Sequence, residues 1–296
     1  SQPAEKEIVM ETISLPPVYR PRPYQKPTAP LAKRHNTSIP DGASIASFIY
    51  SGSEKGEKNL FSRTPILMLH GNGEEHGIFG RVIDAMVDRG YDVIAMDSRD
   101  QGESTRGSAA FTYERMTADA AAVLDDLGVT GAHVLGFSDG GIEGLLLARD
   151  YADKVASLTA IGANLIPEGA GDISWIPEYV AAQRHWAQCG YEGATLEDGY
   201  PVPSPHEAAK IAEHIELMYT EPQIPVESLS SIKCPTTIMA GEYDDILASE
   251  TLRIAQAIPH AHLLFVPGMP HNLPKANAES VVRVLLSTIK RKKNFA

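Results

Sequence analysis

A serine stands between two glycines in the segment Gly136-Phe137-Ser138-Asp139-Gly140, directly after a short apolar run at 133–135. Glycine two residues before and two residues after a serine is typical of a sharp turn from a strand into a helix, because side chains there would collide with those elements. Such a turn raises the hydroxyl above the sheet, at the positive end of the helix. We therefore predict that Ser138 is a nucleophile; the alternative is an ordinary small residue in a turn.

A serine nucleophile needs a histidine that accepts its proton and a carboxylate that orients the histidine. When the serine follows a strand of an α/β sheet, the acid and then the histidine are expected later in the chain. Asp244 follows the apolar run 235–240, and His271 follows the run 262–266. Both side chains are expected at the carboxyl edge of the sheet, so the sequence predicts a triad of Ser138, Asp244 and His271.

Each of these two partners has competitors nearby in the sequence. Asp245 is the second choice for the triad acid, and Glu242 lies two residues before Asp244. One of these carboxylates could cap the next helix instead of orienting a histidine. His260 and His262 flank the start of a predicted strand, at the opposite end of the sheet from His271. We interpret them as surface or core histidines.

Acyl transfer also needs donors for a developing oxyanion, and these are usually backbone N–H groups. We predict the N–H groups of Asp139, after the serine, and of Asn72, in His70-Gly71-Asn72-Gly73. Gly71 and Gly73 would let the backbone approach the substrate, although His70-Gly71 alone would also fit a plain turn. Glu74 and Glu75 come next and either border the substrate pocket or are acids of a first helical turn.

The elements that must position these residues alternate between apolar runs and amphipathic stretches, which predicts an α/β fold with a parallel sheet covered on both faces. The predicted strands are 65–69, 91–96, 133–135, 155–161, 235–240 and 262–266. The predicted helices are 79–89, 117–127, 141–150, 177–188, 206–219, 249–258 and 279–289. Two regions depart from this alternation, one before it and one within it.

The first region is residues 1–34, a proline-rich arm that could pack along the body, pack against a second subunit, or remain a tail. A hairpin with a turn at Asp41-Gly42 is predicted for 35–50. The second region, 163–226, has no evident strand and is predicted to be a helical cap. The core is then 35–162 and 227–296. Within the cap, Trp175 and Trp186 are predicted to contact substrate, with core packing as the alternative.

Composition excludes several other classes of protein. The 296 residues carry a formal net charge of −12, which disfavours nucleic-acid binding. No apolar run reaches the ~18–20 residues of a membrane span, and residues 1–30 have no apolar segment typical of a secretory signal. Cys189 and Cys234 are expected to be unpaired and largely buried, and no His or Asp cluster has metal-ligand spacing. These features favour a cytoplasmic protein without a metal.

The motifs in their order resemble the α/β-hydrolase superfamily, in its capped, esterase-like branch. The resemblance rests on His70–Gly73, Asp97–Ser104, the serine turn, Gly241–Asp244 and Gly268–His271. It implies a mostly parallel eight-stranded sheet flanked by helices, with the cap inserted after the sixth strand, and no cofactor. It also implies that Asp97, Arg99 and Ser104 shape the loop beside the site. Asp139 departs from the pattern of the family because it places a carboxylate directly after the serine. This carboxylate is expected to point along the helix N-terminus.

The leading hypothesis is a carboxylesterase that cleaves a small acyl substrate with water through an acyl-enzyme. The same triad could instead cleave a carbon–carbon, thioester or amide bond, because pocket shape cannot be inferred from the sequence. A third hypothesis is a non-catalytic relative that binds a ligand. A homodimer is kept as one alternative for the quaternary structure.

Overall fold

A computed structural model describes residues 14–53 and 56–291. The strands are β1 (Leu31–Ser38), β2 (Ser44–Tyr50), β3 (Ile66–Leu69), β4 (Val93–Met96), β5 (Ala132–Phe137), β6 (Val155–Ile161), β7 (Thr236–Gly241) and β8 (His262–Val266). The helices are α1 (Gly80–Asp88), α2 (Tyr113–Asp126), α3 (Asp139–Asp150), α4 (Ile176–Cys189), α5 (Pro205–Thr220), α6 (Ala248–Ala257), α7 (Leu273–Ala276) and α8 (Ala278–Lys290).

The eight strands form one sheet in the order β1-β2-β4-β3-β5-β6-β7-β8. Pairing is antiparallel between β1 and β2 and between β2 and β4, and parallel between all other neighbours. The predicted α/β fold is therefore confirmed. Because β3 to β8 run in the same direction, the loops that follow β3, β5, β7 and β8 emerge at one edge of the sheet.

Apolar side chains fill both faces of the sheet. One core packs α2, α3 and α6 against one face, and the other packs α1 and α8 against the opposite face. Successive residues of β3 alternate between the two cores, since Leu67 and Leu69 join the first and Ile66 and Met68 the second. All four β3 residues are fully buried, which explains why the central strands are continuous apolar runs.

The hairpin of β1 and β2 turns at the predicted position. Gly42 has φ +95°, and its N–H donates to the Ile39 carbonyl at 2.9 Å. β1 begins at Leu31, so residues 31–34 belong to the sheet and the arm is shorter than predicted. Residues 14–30 contain neither helix nor strand, in keeping with their prolines. The rest of the predicted arm, 1–13, lies outside the described residues.

Backbone contacts divide the described chain into two compact units. The smaller contains residues 14–20 and 174–216, and the larger contains 21–173 and 217–291. Residues 163–173 and 217–226, which were assigned to the cap, therefore belong with the sheet. The Ile224 N–H donates to the Leu165 carbonyl at 2.9 Å, and both side chains lie in a core of the larger unit.

Within the smaller unit, part of the arm packs along α4. Gln183 donates a hydrogen bond to the Pro17 carbonyl at 3.0 Å, and Arg20 pairs with Asp198 at 2.5 Å. Cys189 is exposed and Cys234 is half-buried, so the predicted burial of Cys189 is wrong. Among the residues that the structure describes, no helix has both the length and the apolar character needed to cross a bilayer.

Candidate active site

Ser138 lies between β5 and α3 in a strained turn, with φ 55° and ψ −117°. The flanking glycines are needed because backbone approaches them closely. A Cβ at Gly140 would lie 2.0 Å from the Leu69 carbonyl oxygen, and one at Gly136 would lie 2.1 Å from the Gly140 carbonyl oxygen. No side chain fits at either position, which is the geometry predicted for the sharp turn around Ser138.

The structure brings Ser138, His271 and Asp244 together from three loops. The Ser138 hydroxyl is 3.1 Å from Nε2 of His271, and Nδ1 of His271 is 2.7 Å from Oδ1 of Asp244. The Asp244 carboxylate is only 1% exposed, and it also accepts a hydrogen bond from the Ile246 N–H at 2.9 Å. Because the carboxylate accepts from Nδ1, Nε2 is left to accept the serine proton.

The competing residues are placed elsewhere. Asp244, rather than Asp245 or Glu242, is the acid bonded to His271. His260 and His262 are exposed at the start of β8, at the end of the sheet away from the triad.

The electrostatic environment of His271 favours its protonated form. Burial lowers the pKa of the ring, but the hydrogen bond to Asp244 and the charges of Asp244, Asp245 and Glu74 outweigh burial. The pKa of His271 is consequently raised. A raised pKa suits a group that must take a proton from an alcohol and hold it through an intermediate.

Gly162, directly after β6, is a site residue that the sequence analysis missed. It has φ +62°, and an added Cβ would lie 2.8 Å from Cε1 and 2.9 Å from Nδ1 of His271. The absence of a side chain at this position therefore makes room for the imidazole. Its only sequence signal is a glycine directly after a strand whose loop faces the site.

The loop after β3 is held by hydrogen bonds on both sides. The Ser98 N–H donates to Nε2 of His70 at 2.9 Å, so Nδ1 carries the proton and donates to the Gly71 carbonyl at 2.7 Å. The Asn72 side-chain amide donates to Oδ2 of Asp139 at 3.0 Å. The two residues predicted to supply the oxyanion donors are thus tied to each other through their side chains.

The Asp139 carboxylate, in the first turn of α3, has a second partner besides the Asn72 amide. It also accepts a hydrogen bond from the Tyr113 hydroxyl at 2.9 Å. One turn later, Glu143 is fully buried, and neither of its carboxyl oxygens has a hydrogen-bond partner within the described part of the chain. Burial first, and then the charges of Asp139 and Asp119, raise the pKa of Glu143 well above its usual range, which favours its neutral form.

Comparisons with known proteins identify the fold. A family model described as the alpha/beta hydrolase fold matches residues 64–193, which include Ser138 but neither Asp244 nor His271. A thermophilic esterase from Thermogutta terrifontis matches with a TM-score of 0.67 at 20% identity, over 88% of this chain and all of that one. The chain has the α/β-hydrolase fold, and the family model covers 130 of its 296 residues.

This chain spans different shares of two curated relatives. A rhodomycin D methylesterase from Streptomyces peucetius is 34% identical over 125 residues, covering 41% of this chain and 38% of that protein. A non-heme haloperoxidase from Rhodococcus erythropolis is 28% identical over 279 residues, covering 80% of this chain and 96% of that protein. The chain therefore spans well under half of the methylesterase but nearly all of the haloperoxidase.

The segment after β4 packs beside the loop that follows β3. Asp97 accepts hydrogen bonds from the His76 N–H and from its ring at 2.8 Å each, and Ser104 donates to the Asp97 carbonyl at 2.6 Å. Arg99 is fully buried and makes a bidentate pair with Asp119 at 2.8 and 2.9 Å. These contacts are structural, as the resemblance implied.

The ligand atoms of Glu75, His76 and Asp97 lie close enough together to hold a metal ion. These side chains already form hydrogen bonds with one another and with the backbone. His76 is hydrogen-bonded to Asp97, and Glu75 accepts from the Gly77 N–H at 2.9 Å. We interpret the cluster as part of the support for the loop after β3.

The residues predicted to contact substrate have different surroundings. In the smaller unit, Trp186 is fully buried and donates to the Pro203 carbonyl at 2.8 Å. Its assignment to substrate binding is therefore replaced by core packing. Trp175 is 46% exposed, so its contact with substrate stays a prediction. Gly71 packs beside Ser138, while the Gly73 N–H donates to the Gln101 side chain at 2.8 Å.

Proposed function

We propose that this protein is a serine hydrolase that cleaves a carboxylic ester through an acyl-enzyme. The observation that carries the proposal is the hydrogen-bonded series Ser138–His271–Asp244, with distances of 3.1 and 2.7 Å. A strained serine at the start of a helix, an imidazole with the correct ring nitrogen facing it, and a buried carboxylate behind the imidazole are the parts that nucleophilic acyl transfer requires.

In the first half of the proposed reaction, Oγ of Ser138 attacks the ester carbonyl while Nε2 of His271 takes the hydroxyl proton. The carbonyl oxygen becomes an oxyanion, which the N–H groups of Asn72 and Asp139 are proposed to bind. The imidazolium is stabilised by Asp244. His271 then gives the proton to the departing alkoxide, so an alcohol leaves and the acyl group stays on Ser138.

In the second half, water replaces the alcohol. His271 takes a proton from the attacking water, a second oxyanion forms, and the bond between the acyl carbon and Oγ breaks. The proton returns from His271 to Oγ, and a carboxylic acid is released. No cofactor takes part in any of these steps.

An ester is preferred over the other bonds for two reasons. One curated relative is named a methylesterase, and one of the similar solved structures is an esterase. The same site could attack an amide, a thioester or a carbon–carbon bond, and a substrate panel separates these reactions.

We further propose that the smaller unit acts as the cap. The cytoplasmic location and the homodimer stay predictions from the sequence.

The test is the Ser138→Ala variant. It should fold like the wild type, as judged by its melting curve, and it should lose hydrolysis of short nitrophenyl esters by a factor of about 10³ or more. The wild type, but not the variant, should become labelled at residue 138 by a fluorophosphonate. Retained turnover in the variant would refute the nucleophile, and an inert wild type would favour the ligand-binding alternative.

A further inference from the structure

The carboxylate of Glu74, in the loop after β3, has partners on two sides. Its Oε2 accepts a hydrogen bond from the Gly71 N–H at 3.2 Å, and its Oε1 lies 3.0 Å from Nζ of Lys275. The side chain of Lys275 is 3% exposed and that of Glu74 is 19% exposed. A buried ammonium has to keep its partner because water cannot replace it. The two groups therefore hold their loops at a fixed separation.

Gly71 lies between the Glu74 end of this ion pair and Ser138. An added Cβ at Gly71 would lie 3.0 Å from Oε2 of Glu74 and 3.2 Å from Cβ of Ser138. Gly71 directly precedes Asn72, whose N–H is a proposed oxyanion donor. A displacement of Glu74 consequently displaces the loop after β3, which carries the proposed oxyanion donor, relative to Ser138.

The Lys275 end is joined to the triad histidine by a short piece of backbone. Lys275 lies in α7, where its N–H donates to the Asn272 carbonyl at 3.1 Å. The Leu273 N–H donates to the His271 carbonyl at 2.9 Å. Because these bonds close one turn, the backbone of Lys275 is held close to that of His271.

We infer that Glu74 and Lys275 form a positioning pair that fixes the spacing between the loop after β3 and His271. This inference rests on the proposed function. Acyl transfer needs both groups at once, and a misplacement of about 1 Å can cost about 10²-fold in rate. The pair also acts through charge: with Asp244 and Asp245, Glu74 is one of the carboxylates whose charge raises the pKa of His271.

The test compares Glu74→Gln, Lys275→Met and the double variant with the wild type, using a short nitrophenyl ester over a range of pH. Each single variant should lower kcat by about 10-fold or more, with KM changed by less than about 3-fold, because the pair sets reaction geometry rather than binding. The losses should not multiply in the double variant, since both changes break one interaction. Glu74→Gln should also lower the kinetic pKa of His271.

Asp125→Asn is the matched control. The Asp125 carboxylate also pairs with a lysine, Lys154, but this pair lies just before the start of β6, at the edge of the sheet opposite the triad, and Asp125 is 64% exposed. This variant should keep both kcat and the kinetic pKa near the wild-type values. The double variant removes both buried charges together, so it decides the question if a single variant does not fold.

Two results would overturn the positioning pair: folded variants that keep kcat within about two-fold of the wild type, or single losses that multiply in the double variant. These outcomes are separate from failure of the proposed function. If Ser138→Ala remains active, the function fails. If Ser138→Ala is inactive while the Glu74 and Lys275 variants are unaffected, only the positioning role fails.

Discussion

Replacing Gly162 with alanine tests whether the space beside His271 is needed for activity. The new Cβ would lie 2.8 Å from Cε1 of the imidazole, whereas ordinary contacts begin at 3.4 Å, so the two groups must separate by 3.4 − 2.8 = 0.6 Å. Gly162 is part of the backbone after β6, and its N–H donates to the Met239 carbonyl at 2.9 Å. The side chain that gives way is therefore the imidazole.

The size of the effect follows from this displacement. Since a shift of about 1 Å can cost about 10²-fold, we expect kcat to fall by roughly 10- to 100-fold. KM should change little, because the glycine contacts the base rather than the substrate. The left-handed backbone should also cost about 1–2 kcal/mol of stability, since alanine is strained at positive φ.

Gly128→Ala is a control that separates these two effects. Gly128 has φ +69°, close to the +62° of Gly162, but nothing lies within 4 Å of an added Cβ there. Both variants should lose similar stability in urea unfolding, while only Gly162→Ala should lose kcat with a nitrophenyl ester. Equal kcat values for the two variants would refute the argument that the glycine makes room for His271.

Three further predictions concern charge. Asp244→Asn should lower kcat by about 10³- to 10⁴-fold, and Asp245→Asn by less than about 3-fold, in ester assays; equal losses would contradict the assignment of the acid. The acid limb of kcat/KM should have its midpoint above about 6.5, because the pKa of His271 is raised and the ring must be neutral to accept a proton; a midpoint below that value would contradict it. Burial and Glu114 raise the pKa of Glu221 to about 7, so the folded protein binds a proton that the unfolded chain releases. The free energy of unfolding should then fall by about 1 kcal/mol, after allowance for partial exposure, as pH rises from about 5 to 8. Glu221→Gln should remove this fall in urea titrations, and an unchanged slope would show that another group is responsible.

The sequence alone was sufficient for those parts of the site that obey short-range rules. The glycines around Ser138 mark a turn that few other sequences can form, and apolar runs mark the strands on either side. Because parallel strands end at one edge, chain order then brought Asp244 and His271 to the same place as the serine. Helix ends were less predictable: α2 begins at Tyr113, four residues before its predicted start, because Thr112 caps it.

Other parts depend on packing between segments that are distant in the chain. The choice between Asp244 and Asp245 depends on which of two adjacent side chains turns inward, and neither residue type decides this. Glu74 and Lys275 look like two ordinary surface charges until the fold buries them together. Trp186 has the residue type of a ligand contact, yet its burial makes it part of a core.

The positive φ of Ser138 ties reactivity to the integrity of the surrounding elements. A serine does not hold this backbone conformation by itself, so β5 and α3 have to impose it by packing on each side. Any loosening of that packing lets the turn relax and withdraws the hydroxyl from His271 before the sheet itself separates. The position of the Ser138 hydroxyl therefore depends on how tightly β5 and α3 pack around the turn.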